Sequence, residues 1–194
     1  MNLITNLKEE ILIRCNSQNN SFGPTVYHHI ESVALNAVEL AKLYGADTEI
    51  CEIAGWLHDI ASITSSDLYK EHHIHGAKIA RELLKSYNYP EDKIKLVEGC
   101  ILNHRGSILN KKTTIEEICV ADADAISHFD TLPSLFYLAF SQKKLSFEDG
   151  ITFIRDKLNR SYNKMSLQSQ KHYLNKKVLI ESILTQRSLD YGKY

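Results

Sequence analysis

The sequence predicts an all-α fold, a helical bundle with additional helices at its C-terminal end. Three observations carry that expectation. Only three prolines and eight glycines punctuate 194 residues, which favours long helices over many short strands. Apolar residues recur at helical spacing in one segment after another, and no segment alternates as a half-buried strand would. The composition, 43% hydrophobic and 24% charged, is ordinary for a globular chain. At this length the chain is read as a single domain, residues 1–194, that needs no disulfide or zinc staple to fold.

Taken in order, Leu3, Leu7, Ile11 and Leu12 mark a first helix. Asn16 to Pro24, rich in Ser, Asn and Gly, reads as a loop. A second helix carries Val26, Ile30, Val33, Ala37, Leu40 and Tyr44 on its apolar side and stops at Gly45. Thr48 is placed to cap a third helix, whose first turn holds Glu49 and Glu52 and whose end reads Trp56-Leu57-His58-Asp59. Ile63 to His73 is polar and is expected to be a loop beside the site. A fourth helix is expected from about His75 to Tyr87, and Pro90 opens a fifth. Thr114-x-x-Glu117 reads as a capping box opening a sixth. Leu132 to Phe140, Phe147 to Leu158 and Gln168 to Gln186 also show helical spacing. The extension from about residue 142 to 194 holds one histidine and no acidic constellation, so it is expected to be structural, a lid or a homodimer surface packed outside the site.

The charge balance, 23 basic against 24 acidic residues, argues against a general nucleic-acid binder, which needs a basic surplus to neutralise phosphates. It leaves room for a local basic pocket that takes one nucleotide. Cys15, Cys51, Cys100 and Cys119 form no C-x-x-C pair and read as small buried hydrophobes of a reducing compartment. No apolar run approaches a membrane span and the first twenty residues do not read as a signal peptide, so a cytoplasmic protein is expected.

Histidine is the unusual residue. Of nine, eight lie between His28 and His128. Polar residues on apolar helix faces are the informative anomalies. His29 shares a face with Val26 and Val33, His104 with Val97 and Ile101, and Asp122 with Ile115 and Ile118, while His58 and Asp59 close an apolar helix. Each alone could be a satisfied core group. Together they suggest a cation, because a buried carboxylate is costly without one and neutral imidazoles are its usual companions.

In order and spacing, His29 in YHHIESVALNAVELA, His58-Asp59 in IAGWLHDIA and Asp122 in ICVADADAI resemble the HD-domain superfamily of metal-dependent phosphohydrolases. HHIHGAKIARELL and VEGCILNHRG extend the resemblance to branches that bind two metals, through His75 and His104. The match covers a motif core of about residues 26–128. It implies an HD-type bundle, with one divalent transition ion on His29, His58, Asp59 and Asp122. It further implies either a second ion on His75 and His104, bridged by Asp59, or phosphate contacts by those two histidines. Two imidazoles and two carboxylates suit Mn²⁺, Fe²⁺, Co²⁺, Ni²⁺ or Zn²⁺ better than Mg²⁺. Asp59 and Arg105 are expected to be catalytic, and Arg105, Lys78 and His72 to meet substrate. Asp124 and His128 are candidates for a supporting role around Asp122. Ser62 and Ser32 stand where many family members carry lysine and arginine. The substrate implied is a small phosphorylated molecule, a nucleotide or dinucleotide. Two branches are resembled in part, one hydrolysing dinucleoside tetraphosphates and the other nucleoside triphosphates. A metal-bearing nucleotide sensor without turnover is the alternative.

Overall fold

The computed structural model describes residues 2–105 and 112–185, and among these no strand occurs. The helices are α1 (Leu3–Cys15), α2 (Val26–Tyr44), α3 (Thr48–Leu57), α4 (Ile60–Thr64), α5 (His72–Ser86), α6 (Glu91–Asn103), α7 (Ile115–Asp130), α8 (Leu132–Phe136), α9 (Phe147–Lys164) and α10 (Leu167–Leu184). None is long and apolar enough to cross a membrane.

Local chemistry sets most boundaries. Gly45 ends α2 in the left-handed conformation, φ 74°, which glycine adopts without steric cost. Asp47, one residue before the expected Thr48, caps α3 by accepting from the N–H groups of Glu49 and Ile50. Thr114 caps α7 through Glu117 N–H, and Glu117 reaches back to Thr113 N–H, one residue beyond the usual box partner.

The stretch expected as a loop, residues 63–73, is helical. α4 ends at Thr64, a 3-10 turn covers Ser66–Glu71, and α5 begins at His72 rather than at His75. Its polar composition reflects a position at the rim of the site rather than irregular backbone.

Two apolar clusters share α7. The first gathers Leu7, Ile30, Ile53, Trp56, Leu57, Ala80 and Ile94 from α1 to α6 with Cys119, Val120 and Ala123 of α7. The second gathers Ala125, Ile126 and Phe129 of α7 with Leu135, Ile154, Leu158, Ile180 and Leu184. All four cysteines are buried free thiols. At Gly55 a Cβ atom would lie 2.6 Å from Ala34 Cα, so glycine is what lets α3 approach α2. That approach carries His58 toward His29, with ring centroids 5.5 Å apart.

Of the C-terminal helices, α9 does not pack outside the site as expected. α9 lies against α7, and its inner face forms one wall of the main cavity.

Candidate metal centre

The site is built at the ends of helices and on one buried face of α2. His29 faces inward with Ile30 and Val33. His58 is fully buried just past α3, and Asp59, partly buried, follows it. His72 opens α5, His104 ends α6, and Asp124 and His128 lie one turn apart on α7.

Three imidazoles are fixed in one tautomer by the same device. Nδ1 of His58 donates to the Gly55 carbonyl at 2.8 Å. Nδ1 of His72 donates to Tyr69 at 2.9 Å, and Nδ1 of His104 to Ile101 at 2.6 Å. Each partner lies three residues upstream, the spacing one helical turn supplies. With Nδ1 carrying the proton, each Nε2 presents a lone pair to the centre. Nε2 of His58 is buried without a partner. Nε2 of His72 and Nε2 of His104 stand only 3.3 Å apart. Two lone pairs at that separation repel unless a cation sits beside them.

The carboxylates connect these imidazoles into overlapping groups. Asp59 turns Oδ2 toward His58 Nε2 at 3.6 Å and Oδ1 toward His72 Nε2 at 3.6 Å. Ser62 donates to Oδ1 at 2.9 Å and steadies it. Asp124 turns Oδ1 toward His29 Nε2 at 3.3 Å and Oδ2 to the ammonium of Lys164. Potential ligand atoms fall into the sets His29, His58, Asp59; Asp59, His72, His104; and His29, Asp124, His128.

Protonation suits a metal. Burial lowers the pKa of His29, and lowers His104 to about 3, so both are neutral. Burial pushes the Asp59 carboxyl up, but the positive charge that the surrounding imidazoles carry when protonated draws it below its ordinary value. Burial opposes ionisation of Asp124 too, and Lys164 and His29 overcome it. Neutral imidazoles beside ionised carboxylates are the donor set a borderline divalent cation requires. The convergent Nε2 atoms and the two-sided Asp59 therefore fit one or two such ions.

Two expected ligands lie elsewhere. Asp122 is buried but points away from the imidazoles. It accepts from Ser166 N–H at 2.8 Å, from Ser169 Oγ at 2.7 Å and from Ser166 Oγ. Two residues along a helix turn a side chain by about 200°, so Asp124 faces the centre and Asp122 does not. His75 is half-buried and belongs to no ligand set among the described residues. His72, three residues earlier on the first turn of α5, holds the place expected of it. Lys78 is exposed and does not line the cavity. Arg105 does line it and donates to the Lys70 carbonyl at 2.5 Å. His128, expected at most as a supporting group, lies on the cavity wall with Nδ1 3.3 Å from Ser161 Oγ.

The cavity over this centre has a volume of about 810 Å³, the size of a small-molecule site. Six cations line it, Arg105, Lys112, Lys143, Lys157, Arg160 and Lys164, against the two carboxylates Asp59 and Asp124. Four of the six come from the stretch after residue 142, where sequence reading sought no function. Phe22, Val26, Tyr69, Leu135, Leu138 and Phe153 supply apolar lining.

Residues 26–128 match the family model of the HD domain. Ribonuclease Y of Thermotoga petrophila is 35% identical over 107 residues, which are 55% of this chain and 19% of that protein. Ribonuclease Y of Enterococcus faecalis is 32% identical over the same length. The chain thus spans about a fifth of the length of these curated relatives. In fold it is similar to Bacillus subtilis YpgQ, solved in complex with ADP, at a TM-score of 0.69 and 16% identity, covering 97% of this chain and 98% of that one. It is also similar to a predicted HD superfamily hydrolase from an uncultured Thermotogales bacterium, at a TM-score of 0.55 and 20% identity, covering 92% and 91%.

Proposed function

The chain belongs to the HD-domain family of metal-dependent phosphohydrolases, and we propose that its substrate is a nucleotide or dinucleotide, cleaved at a phosphoester or phosphoanhydride bond. The observation that carries this reading is the convergence of fixed Nε2 atoms and two carboxylates at the floor of a cavity whose walls are cationic. His29, His58, Asp59 and Asp124 would hold one divalent transition ion. Asp59, His72 and His104 would hold a second, with Asp59 shared. Such ions, when bound, supply Lewis acidity toward a phosphoryl oxygen and lower the pKa of water toward about 7.

The chain's own groups do the rest. The carbonyls of Gly55, Tyr69 and Ile101 orient the three imidazoles, and Ser62 orients Asp59. Arg105 spends one donor on Lys70 and keeps the remainder of its fork for a phosphate. Phe22, Val26 and Tyr69 line one part of the cavity and offer apolar surface to a base, with Tyr69 stacked on His72 at an interplanar angle of 13°. The ADP bound by YpgQ, a protein of similar fold, supports a nucleotide over a simple phosphoester.

The test is a panel of nucleoside mono-, di- and triphosphates, dinucleoside polyphosphates and a short oligoribonucleotide, assayed with Mn²⁺, Fe²⁺ or Co²⁺. Turnover of a nucleotide or dinucleotide is expected. Turnover of the oligoribonucleotide alone, or stoichiometric metal with no turnover of any member, would replace this reading with a nuclease or a sensor.

A further inference from the structure

α10 is apolar on two faces, and the fold covers one of them. Its inner face sets Tyr173, Ile180 and Leu184 into the second apolar cluster, with α9 and α7 as neighbours. Its outer face leaves Leu167, Leu174 and Val178 85%, 47% and 56% exposed. Leu179 and Ile183 are exposed on the flank of that face. None of these five residues lines the main cavity. A helix that is apolar all round is normally covered all round, and a run of large apolar side chains left in water marks a contact surface.

The outer face has the pattern of a helix-pairing seam. Leu167, Lys171, Leu174, Val178, Glu181 and Thr185 follow one another at steps of four, three, four, three and four residues. That alternation keeps one stripe turned toward a partner helix. The stripe is also its own complement when reversed. Leu174 and Val178 lie two residues either side of the level of Lys176, Lys171 and Glu181 five either side, and Leu167 and Thr185 nine either side. Two copies of α10 running antiparallel about a two-fold axis at that level set Leu174 against the partner's Val178. They set Lys171 against the partner's Glu181, and Leu167 against the partner's Thr185. Parallel pairing would instead oppose Lys171 to the partner's Lys171 and Glu181 to the partner's Glu181, which like-charge repulsion disfavours. Lys171 is exposed and has no hydrogen bond or ion pair among the described residues. Glu181 accepts from Lys177 through Oε1 and has a second oxygen to offer. A two-fold contact requires a patch that complements itself, and a partner of another sequence gives no reason for the reversed match.

We propose that the outer face of α10 is a homodimer surface, on which a second copy of this chain pairs antiparallel through Leu167, Leu174 and Val178, with Lys171 and Glu181 in reciprocal ion pairs. The residues of the seam line no part of the main cavity, so each protomer keeps its own metal centre, and the pairing is independent of the substrate. A single helix pair is small beside a standard interface, so the dimer is reversible, with a Kd of about 10 µM.

Sedimentation velocity of the full chain, run from about 1 to about 200 µM, reads the equilibrium. The wild type should pass from monomer to dimer across that range. Val178→Glu, at an exposed position, should weaken the dimer by about tenfold or more and leave helical content and bound metal unchanged. Lys171→Glu alone should weaken it by about fivefold, because the change acts twice across the two-fold axis. Adding Glu181→Lys to that variant should restore most of the loss. Lys171→Glu also serves as the independent variant should Val178→Glu fold poorly. A monomer up to about 200 µM, a dimer unmoved by Val178→Glu, or charge reversal without rescue would each overturn the proposal. So would a monomer that binds phosphatidylglycerol vesicles and releases them in Val178→Glu, which would make this face of α10 a lipid-binding surface.

Discussion

The two walls of the cavity differ in how they are built. The wall formed by α2, α3, α5, α6 and α7 holds mostly buried groups, three of its imidazoles fixed in one tautomer by backbone carbonyls, on helices of the first apolar cluster. The wall formed by α9 holds flexible cations that are half-buried or exposed, two of them without partners among the described residues. The first suits preorganised ligation of an ion that is always in the same place. The second suits a diffuse, multiply charged ligand that arrives and leaves. α7 joins the two, with Asp124 turning one oxygen to His29 and the other to Lys164.

The sharpest way to break this comparison is at Asp59. Its oxygens face His58 on one side and His72 on the other. Asp59→Ala should lose bound metal and lower kcat by a thousandfold or more, given that a metal contributes on the order of several kcal/mol of transition-state stabilisation. Metal analysis of the purified variant and steady-state kinetics check it. Stoichiometric metal with full turnover in that variant would remove the ligand wall as described.

Next in size is the contrast between two aspartates two residues apart. Asp124→Asn should weaken metal affinity by about 10- to 100-fold or more, the range seen even for groups that only support ligands. Asp122→Asn should keep its metal and lose about 1–3 kcal/mol of stability, because buried serine donors lose a charged acceptor. Metal competition with a chromophoric chelator and a thermal melt, run on both variants, distinguish the two roles. The reverse pattern would return Asp122 to the centre.

That contrast also shows what was legible in the sequence. His29, His58, Asp59 and His104 stood out because each is polar in an apolar helical setting, a signal that needs no tertiary knowledge. The same criterion fails in ICVADADAI. α7 is buried on all sides from Cys119 to Phe129, so both aspartates sit among apolar neighbours and periodicity cannot choose between them. In HHIHGAKIA the information was present but weak. The buried stripe of α5 runs through His72, His73, Gly76, Ala77, Ala80 and Leu84, and the small residues at 76, 77 and 80 mark it. Spacing back from Gly76 by one turn selects His72, whereas reading residues 63–73 as a loop hid that turn. The cations of α9 gave no signal of this kind. On an amphipathic helix, Lys157, Arg160 and Lys164 look like an ordinary solvated face. Only the packing of α9 against α7 turns that face inward.

The smallest expected effect sharpens the comparison from the α10 side. Ser169 is buried and its hydroxyl donates to Asp122 Oδ2 at 2.7 Å. Asp122 keeps two other donors, the N–H and hydroxyl of Ser166, so Ser169→Ala strands no charge. The variant should lose about 1–2 kcal/mol, near the net worth of a hydrogen bond to a charged group. In a chain of this length each kcal/mol moves Tm by about 2–4 °C. Metal content should not change, because Asp122 belongs to no candidate ligand set among the described residues and instead accepts from the serines at the turn between α9 and α10. Calorimetry of unfolding and metal analysis on one preparation read both quantities. Metal loss in Ser169→Ala would show that the α9–α10 turn supports the ligand wall as well, and the two walls would then be one device.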